Sequence, residues 1–371
     1  MTATLTKCSR VPVERVAVSA YRVPTDVPME SDGTLEWSST TLVLVEVRAA
    51  GVTGLGYTYA DTATAALIHD TLAHVVCGQD VMANGKIWAA MVASIRNLGR
   101  PGIAAMAISA VDVAVWDLKA RLLDIPLVTL LGAIRDVVPV YGSGGFTSYS
   151  VAQLQAQLAQ WVGEGISRVK MKIGRDAVAD VVRVAAARNA IGERAELFVD
   201  ANGAYDRKLA LAQAYRFVES QVSWFEEPVY HLDLVGLRLC RDRAPVTMEI
   251  SVGEYGYHPM DFARIIGAQA VDVLQADASR CEGITGLMLV DALCEAHSLP
   301  LSTHCAPSLH AHPGCAAKRV RHIEYFHDHV RIEKMFFDGA LTPVNGALRP
   351  DLSRPGLGLE FKRSDAAAYA I

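Results

Sequence analysis

The chain has 371 residues, of which 51% are apolar and 20% are charged, and its formal net charge is −5. This length and apolar fraction allow a large domain plus an accessory domain, and the acidic balance argues against a nucleic-acid partner. No apolar run reaches membrane length, and the N-terminal MTATLTKCSRVPVERV lacks the apolar core of a signal peptide. We expect a cytoplasmic protein without a membrane partner, and the seven widely spaced cysteines, with no C-x-x-C, indicate reduced thiols.

The first third of the chain mixes predicted strands and helices. TTLVLVEVRA (40–49) alternates as a strand does, and GVTGLGYTYA is a glycine-punctuated turn into a second strand. Helical patterns follow over residues 62–78, 85–98 and 102–123. We therefore assign residues 1–135 to an α+β domain.

From residue 136, short β-rich runs alternate with amphipathic segments about every 25 residues. The runs are VPVYGS, RVKMKI, ELFVDA, SWFEEP, VTMEIS, DVLQAD and LPLSTH. Seven or eight such units predict a closed parallel (β/α) barrel over 136–335, with an open doubly wound sheet as the alternative. YGSGGF (141–146) lacks the spacing of a dinucleotide loop, so we interpret it as a strand-end turn. The Pro/Gly-rich tail, 336–371, is expected to return to the first domain.

Six of these runs stop at an ionisable residue, although parallel strands buried on both faces are normally apolar throughout. The six residues are Lys172, Asp200, Glu226, Glu254, Asp277 and His304. They are 23 to 28 residues apart, about one β/α unit each. The carboxyl ends of barrel strands meet at one mouth, which holds the active site. A single aspartate at a strand end could instead cap the next helix, but the whole series predicts one cluster.

Three of the six residues are carboxylates on successive strands, namely Asp200, Glu226 and Glu254. Facing one space, they would raise each other's pKa values, and a hard divalent cation would remove this repulsion. Oxygen-only ligation favours Mg²⁺, with Mn²⁺ as a possible substitute. Asn202 shares side-chain parity with Asp200, so it is expected to approach the ion or the substrate. Of the neighbours Glu226 and Glu227 only one can point inward, and the other would be an outer contact or a helix-start group.

The remaining residues of the series suit proton transfer. Asp277 beside one imidazole nitrogen would fix the His304 tautomer and leave the other nitrogen free to move protons. Lys170 and Lys172 share parity, so both are predicted to face the barrel interior, where two ammonium groups lower each other's pKa. One lysine could then act as a base near neutral pH. The alternative is that the lysines only balance the carboxylates.

Other histidines and a cysteine near the series have plainer interpretations. Cys305 adjoins His304, but adjacent strand residues point to opposite faces, so we expect that His304 does not activate the thiol. His310-x-His312 and His327-x-His329 could be metal pairs, but no cysteine lies at zinc-site spacing. Surface or subunit-contact histidines are the expected interpretation.

Taken together, these motifs resemble the enolase superfamily, and within it the mandelate racemase subgroup, over most of the chain. The matching motifs are Lys170-Met171-Lys172, Asp200-Ala201-Asn202, W-F-E-E-P around Glu226, Gly253-Glu254, Asp277 before a turn into I-T-G, and His304 after L-S-T. Residues 102–123 also look like a helix of the family's capping domain. Ala276 and Glu282 stand where the family commonly has proline and glycine. The resemblance implies a modified TIM (β/α) barrel with an α+β capping domain.

The resemblance also implies roles for individual residues. Asp200, Glu226 and Glu254 would bind Mg²⁺. Lys172 would be the base on one face of the substrate, and His304 with Asp277 would be acid or base on the other. Lys170 would tune Lys172 and could contact the substrate carboxylate. Glu324, in RHIEYF, matches a carboxyl group that hydrogen-bonds the substrate carboxylate, and Glu333 is the second choice for it.

The chemistry implied is removal of the proton alpha to a carboxylate through an enediolate. We expect a lyase that dehydrates a sugar acid to a 2-keto-3-deoxy acid. A racemase, epimerase or cycloisomerase of a 2-hydroxy acid is the alternative, and a non-catalytic binding barrel is the alternative of another class. The partner would be a small-molecule carboxylate, and the resemblance suggests a symmetric homo-oligomer. The segments Tyr21–Trp37 and Gly51–Tyr59 are expected to be loops that reach over the mouth and set specificity.

Overall fold

The structure is a computed structural model that describes residues 10–371. Cys8 and most of the stretch tested above as a signal peptide lie outside the described residues. The other six cysteines are free thiols. Within residues 10–371, none of the helices combines the length and the apolar character of a membrane span.

The N-terminal part contains five strands and five helices. The strands are β1 (Arg15–Pro24), β2 (Glu30–Ser31), β3 (Glu36–Trp37), β4 (Ser39–Ala49) and β5 (Val52–Tyr59). The helices are α1 (Thr62–Leu67), α2 (Ala73–Val76), α3 (Asn84–Ser94), α4 (Ile103–Leu122) and α5 (Leu127–Leu131), and a π-helical segment (Ile68–Leu72) joins α1 to α2. Strands β1, β4 and β5 form an antiparallel sheet in that order. The predicted strands and helices are confirmed, and β1 is a further strand that the alternation did not indicate.

Strand β4 is buried on both faces because its alternate side chains enter two different cores. Val43 packs with the helices of the N-terminal part, whereas Leu42 and Leu44 join the core of the barrel. Gly56 in β5 allows α4 to lie very close, since a Cβ atom there would be 2.1 Å from the backbone oxygen of Ala110. The sheet is therefore held between α4 and the barrel.

Eight parallel strands follow and close into a barrel. The strands are β6 (Val138–Gly144), β7 (Arg168–Lys172), β8 (Glu196–Asp200), β9 (Val222–Glu226), β10 (Glu249–Val252), β11 (Val273–Ala276), β12 (Leu301–Thr303) and β13 (Val320–Phe326). Each pairs with the next, and β13 pairs with β6. The helices are α6 (Val151–Gly163), α7 (Ala177–Ile191), α8 (Arg207–Phe217), α9 (Leu234–Arg243), α10 (Pro259–Gly267), α11 (Gly283–Ala296), α12 (Pro307–Ala316) and α13 (His327–Phe336), with a 3₁₀ turn (Val218–Ser220) after α8. The predicted TIM (β/α) barrel with an α+β capping domain is confirmed, and β13 supplies its eighth strand.

Side-chain caps begin several of the barrel helices. The Ser150 hydroxyl accepts a hydrogen bond from the backbone N–H of Gln153, whose side chain accepts one from the Ser150 N–H in return. Asp176 and Asp206 accept bonds from first-turn N–H groups of α7 and α8. These caps fix the points where the chain leaves the mouth of the barrel and enters a helix.

Aromatic rings fill the barrel beneath the mouth. A buried cluster is formed by Tyr141, Phe198 and Trp224 together with Val273. The rings of Phe198 and Trp224 are stacked, with their centroids 5.2 Å apart. Trp224 also donates its ring N–H to Oε2 of Glu226 at 3.1 Å. The side chains at the strand ends therefore lie next to a packed aromatic layer, as expected for a barrel interior filled by side chains.

The C-terminal segment contacts both parts of the molecule. Its elements are β14 (Phe337–Asp338), β15 (Ala347–Leu348), β16 (Glu360–Phe361), α14 (Arg363–Ala366) and a 3₁₀ turn (Ala367–Tyr369). Strand β15 pairs antiparallel with β6 of the barrel, and the Ile371 N–H donates to the Ala20 oxygen of β1 at 3.0 Å.

Glu282 has φ +67°, and its carboxylate is bound by the guanidinium of Arg100 from the capping domain. This ion pair holds glutamate in a left-handed conformation where glycine would be relaxed.

The segment Glu30–Trp37, which carries β2 and β3, lies against the carboxyl ends of the first barrel strands. Oγ of Ser31 is 2.6 Å from Oγ1 of Thr147, which lies just beyond the end of β6. Arg175, which lies just beyond the end of β7, donates its Nε–H to the backbone oxygen of Asp32. The expectation that Tyr21–Trp37 and Gly51–Tyr59 are loops is wrong for much of their length, because β1 extends to Pro24 and β5 occupies Val52–Tyr59. Pairing with β4 satisfies the backbone groups of both strands.

Candidate active site

The structure brings the six strand-end residues together at the mouth of the barrel. Three of them close β7, β8 and β9: Lys172, Asp200 and Glu226. Three follow β10, β11 and β12 within two residues: Glu254, Asp277 and His304. Each is at most 6% exposed. Buried charges are costly unless they are paired or bind a metal, so the contacts among these groups determine what the site can do.

The three carboxylates form a set that a single cation can contact. Asp200, Glu226 and Glu254 each offer an oxygen, and these oxygens lie within 4.8 Å of one another. Oε2 of Glu254 is buried and has no hydrogen-bond partner among the described residues. Burial raises the pKa of Glu226 well above its usual value despite the nearby Lys170 ammonium. Three oxygen donors and one unsatisfied oxygen suit a hard divalent cation such as Mg²⁺.

Two further side chains adjoin the carboxylate set. Glu227 lies past the end of β9 with φ +40° and is buried, and burial together with Glu254 and Asp200 raises its pKa well above the usual value. It is therefore an outer contact of the cluster and not a helix-start group, since α9 begins only at Leu234. Asn202 donates its backbone N–H to Oδ1 of Asp200 at 2.8 Å, and its side-chain oxygen is buried without a described partner.

Both lysines point into the barrel, as their parity predicts, but each is bound to carboxylates. Nζ of Lys170 lies 2.7 Å from Glu226 and 2.8 Å from Glu324, and Nζ of Lys172 lies 2.5 Å from Oδ2 of Asp200. Burial and Lys170 act to lower the pKa of Lys172, but Asp200 outweighs them and raises it above its usual value. Burial also acts to lower the pKa of Lys170, but Glu226 and Glu324 outweigh it and raise this pKa well above its usual value. Lys170 does lower the pKa of Lys172 as predicted, but the expected net result, a lysine that is neutral near pH 7, is wrong here because ion pairing is stronger than the mutual repulsion.

His304 and Asp277 form the expected hydrogen-bonded pair. Nδ1 of His304 is 2.8 Å from Oδ2 of Asp277, whose other oxygen accepts a bond from the Ser279 N–H at 2.7 Å. Burial favours a raised pKa for Asp277, but the hydrogen bond and charge of His304 hold it well below the usual value. An aspartate on Nδ1 leaves Nε2 as the nitrogen that can exchange a proton.

Cys305 corrects one expectation. Its Sγ lies 3.2 Å from Nε2 of His304, although adjacent strand residues should point to opposite faces. The reason is that β12 ends at Thr303 and Cys305 has φ +51°, so strand parity no longer applies. Burial, with Glu324 and Asp277 nearby, raises the pKa of the thiol well above its usual value. A protonated thiol is a poor nucleophile, so the raised pKa argues against thiol catalysis despite the short contact with His304.

Glu324 lies in β13 and binds three other residues around the site. One oxygen accepts bonds from the Ser143 hydroxyl at 2.6 Å and Lys170 at 2.8 Å, and the other accepts the Cys305 N–H at 3.0 Å. Burial would raise its pKa, but Lys170 lowers it well below the usual value. A hydrogen bond to a substrate carboxylate would need a proton on one of the two groups, so that role stays a prediction. Glu333 is instead engaged with the Tyr57 hydroxyl at 2.6 Å.

The histidine pairs are largely buried, so their interpretation as surface groups is wrong for three of the four. His310 accepts a bond from the Ala278 N–H at 2.9 Å through Nε2, and His312 binds backbone groups on both sides of its ring. His329 is 6% exposed, and only His327 is partly exposed. His310 and His312 lie on helix α12, where they satisfy buried backbone groups.

Two residues that contact the cluster were not predicted from the sequence. Gln275 in β11 donates its side-chain N–H to Oε2 of Glu226 at 3.0 Å. Nη1 of Arg280 donates to the backbone oxygen of Glu254 at 3.1 Å and lies 3.6 Å from its carboxylate. Gln275 shares parity with Asp277 and could have been found in this way, whereas Arg280 lies beyond the strand in a turn.

Comparison with protein families identifies two matching segments. Residues 13–132 match the N-terminal domain of the mandelate racemase / muconate lactonizing enzyme family. Residues 153–366 match the family described as enolase C-terminal domain-like. A 3,6-anhydro-alpha-L-galactonate cycloisomerase from Streptomyces coelicolor is 33% identical, over 95% of this chain and 98% of its own. An L-talarate/galactarate dehydratase from Salmonella typhimurium is 31% identical, over 77% of this chain and 73% of its own.

Solved structures with the same fold cover nearly the whole chain. A mandelate racemase/muconate lactonizing enzyme-like protein from Rubrobacter xylanophilus is 54% identical, with a TM-score of 0.95 over 97% of this chain and 100% of that one. A racemase from Streptomyces coelicolor A3(2) with bound magnesium is 31% identical, with a TM-score of 0.91 over the same fractions. The similarity therefore extends over both the capping part and the barrel.

Proposed function

Because the chain belongs to the mandelate racemase / muconate lactonizing enzyme family of the enolase superfamily, we propose that it is a Mg²⁺-dependent enzyme acting on a sugar acid. It removes the proton alpha to the carboxylate and then expels the β-oxygen, so that a β-hydroxyl leaves as water and a 2-keto-3-deoxy acid forms. The observation that carries the proposal is the placement of Lys172 and the His304–Asp277 pair around the three carboxylates.

Asp200, Glu226 and Glu254 are the proposed ligands of Mg²⁺, with Mn²⁺ as a possible substitute. When bound, the cation supplies positive charge that stabilises the negative charge developing on the substrate carboxylate. The oxygen-only donor set and the Glu254 oxygen that lacks a hydrogen bond support this assignment. Asn202, whose side-chain oxygen is also unpaired, is the proposed neighbour of the substrate.

Lys172 and His304 are the proposed proton-transfer groups on two sides of the substrate. They lie at the ends of β7 and β12, which are separated by β8 to β11 round one side of the barrel and by β6 and β13 round the other. A base on one side and an acid on the other allow the alpha proton and the leaving group to be handled by different residues. This arrangement favours elimination of the β-oxygen, or inversion at the alpha carbon, over removal and return of the alpha proton on the same side of the substrate.

Lys172 is the proposed base. It can accept the alpha proton only as the neutral amine, so its ion pair with Asp200 must weaken before the step. Asp200 is a proposed metal ligand, and a carboxylate bound to a cation holds a neighbouring ammonium proton less strongly. Lys170 remains paired with Glu226 and Glu324 and can present its ammonium to the substrate carboxylate.

His304 is the proposed acid. Its Nε2 faces the site, and a proton there can pass to the departing β-oxygen. Asp277, bonded to Nδ1 at 2.8 Å, stabilises the positive charge of the doubly protonated ring. Glu324 is proposed to contact the substrate carboxylate from β13, either directly or through Lys170.

A cycloisomerase is the second candidate. The same steps expel a ring oxygen instead of a hydroxyl if the β-oxygen belongs to an ether or lactone. The specific support is the relative from Streptomyces coelicolor named for such a reaction, which matches 95% of this chain.

A screen of mono- and diacid sugars and their anhydro forms with Mg²⁺, scored for 2-keto product, tests the proposal. Product from an open-chain acid supports the dehydratase, and product from an anhydro acid supports the cycloisomerase. Proton exchange at C2 in heavy water without a keto product would reject elimination and favour a racemase or epimerase. If Mg²⁺ neither binds nor shifts the melting temperature, the chain is a binding barrel and not an enzyme of this kind.

A further inference from the structure

A second set of metal-ligand atoms surrounds the free nitrogen of His304. Nε2 of His304 lies 3.2 Å from Sγ of Cys305 and 3.7 Å from Oε2 of Glu324, and Sγ lies 3.6 Å from Oε2. All three residues are at most 6% exposed. They come from the turn after β12 and from β13, and none belongs to the carboxylate set proposed for Mg²⁺.

These separations match those of ligands on a tetrahedral zinc ion. Bonds of about 2.3 Å to sulfur and about 2.0–2.2 Å to nitrogen and oxygen, at tetrahedral angles, place ligand atoms about 3.3–3.7 Å apart. Pair by pair, the sulfur–oxygen distance of 3.6 Å lies in this range, and the sulfur–nitrogen distance of 3.2 Å and the nitrogen–oxygen distance of 3.7 Å lie within about 0.3 Å of the tetrahedral values for these bond lengths. A thiolate and an imidazole also favour zinc or cobalt over magnesium, which prefers oxygen.

The surroundings orient the three donors as metal ligands usually are. Asp277 binds Nδ1 of His304 at 2.8 Å, which is the carboxylate–histidine arrangement that directs Nε2 toward a metal. Lys170 and Ser143 hold the other oxygen of Glu324 and fix the carboxylate plane. The donors therefore need little rearrangement to bind an ion.

A carboxylate oxygen without a hydrogen bond also lies beside Nε2 of His304. Oε2 of Glu254 is buried without a hydrogen-bond partner among the described residues, and it lies 3.4 Å from Nε2 of His304. A buried carboxylate oxygen without a hydrogen bond costs free energy, and a cation in either of the two sites would compensate for it. Glu254 can thus provide a fourth contact in addition to its proposed role toward Mg²⁺.

We propose that His304, Cys305 and Glu324 form a binding site for a thiophilic divalent cation, Zn²⁺ or Co²⁺, and that its occupation blocks the proton-transfer nitrogen of His304. On binding, the Cys305 thiol releases its proton to solvent and the thiolate sulfur bonds to the metal, with no change of oxidation state. The metal site itself does not rest on the proposed function, because the metal–sulfur bond can be detected without turnover, whereas the blocking of His304 does rest on it. Where turnover exists, zinc inhibits it by competing for Nε2.

Titration with Co²⁺ in the presence of Mg²⁺ tests the site. Wild-type protein is expected to develop the near-ultraviolet thiolate-to-cobalt charge-transfer band, which an oxygen-only site cannot produce. Cys305→Ser should lose the band, and Cys294→Ser should keep it, since Cys294 is a buried thiol of α11 whose charged neighbours are Asp291 and Arg319. A wild-type protein without the band, or a band that survives in Cys305→Ser, overturns the proposal.

Two further measurements keep the test independent of one variant. The melting temperature with Mg²⁺ reports whether Cys305→Ser is folded, and Cys305→Ala replaces it if it is not. Anomalous diffraction at the cobalt absorption edge then locates the ion in wild-type crystals. Cobalt bonded to Cys305 supports the proposal, and cobalt found only among Asp200, Glu226 and Glu254 rejects it.

Discussion

Nδ1 of His304 lies 2.8 Å from Oδ2 of Asp277 because the two strands that precede them are paired in register. Ala276 of β11 is opposite Thr303 of β12, so the next residue of each strand meets its partner at the mouth. The dyad is therefore positioned by backbone pairing, and a side-chain change can test its chemistry without moving the strands.

Replacing Asp277 with asparagine should impair turnover and leave the fold intact. The amide cannot stabilise a positive imidazole ring and favours the wrong tautomer, so we expect kcat to fall by about 10²–10⁴-fold. The measurement is steady-state kinetics on the substrate found by the screen. Asp291→Asn is the control, because Asp291 is a buried carboxylate that binds the backbone of Lys318 and Arg319 instead. Equal kcat values in the two variants would contradict the role of the dyad.

Lys172→Met and His304→Asn should separate the two protons of the reaction. If Lys172 takes the alpha proton, Lys172→Met loses hydrogen exchange at C2 in heavy water, whereas His304→Asn keeps exchange but forms no 2-keto product. Nuclear magnetic resonance of the substrate measures exchange, and a keto assay measures product. The reverse pattern would assign the base to His304, and retained product formation in both variants would refute the mechanism.

Glu254→Gln should weaken Mg²⁺ binding. It removes one of three charged oxygen ligands, and we expect at least about tenfold lower affinity by calorimetry. Glu333→Gln is the matched control, since Glu333 is equally buried but bonds Tyr57 and Ser308. Unchanged affinity in Glu254→Gln, or an equal loss in both variants, would show that Glu254 is not a specific ligand.

Gly33→Ala should disturb the segment Glu30–Trp37, which lies against the mouth of the barrel. A Cβ at Gly33 would lie 2.4 Å from the Ala201 oxygen and 2.7 Å from the Ile173 oxygen, so the segment must move away from β7 and β8. We expect a raised KM with a smaller change in kcat, because substrate enclosure is lost before the catalytic residues move. Gly163→Ala is the control, since a Cβ there meets no atom within 4 Å. An unchanged KM in Gly33→Ala would argue against this contact.

Glu30 should make stability depend on pH. Burial and the carboxylates of Asp328 and Asp26 raise its pKa to about 9. A glutamate in the unfolded chain has a pKa of about 4.3, so between these values the folded state holds a proton that the unfolded state has lost. The free energy of unfolding that Glu30 contributes is therefore complete below the lower value and is lost as pH rises through about 9.

The variant Glu30→Gln isolates this contribution. Glutamine has the shape of the protonated acid and does not titrate, so its melting temperature should fall less than that of wild type as pH rises across this window. Calorimetric melting curves of both proteins, from mildly acidic to mildly alkaline pH, make the comparison. Parallel curves would mean that Glu30 does not hold its proton in the folded protein.

The sequence by itself determined the barrel and the grouping of its strand-end residues. Strand alternation and the repeat of one β/α unit depend only on the order of apolar and polar residues, and parallel strands of a barrel end at the same side. The strand-end positions of Asp200, Glu226 and Glu254 therefore predict from the sequence alone that these three carboxylates lie together. His304 and Asp277 followed from the same spacing. Strand β13 was harder to detect, because VRHIEYF has charged residues among its apolar ones.

Only the tertiary structure decided the protonation and the local geometry of the site. The pKa of Lys172 depends on the distance to Asp200, which lies on another strand and outweighs the neighbouring Lys170. The position of Cys305 depends on a left-handed turn after β12, where the two-residue period of a strand no longer applies. Residue order carries the periodicity of regular elements, but charge pairing across strands and backbone turns beyond their ends arise from long-range packing.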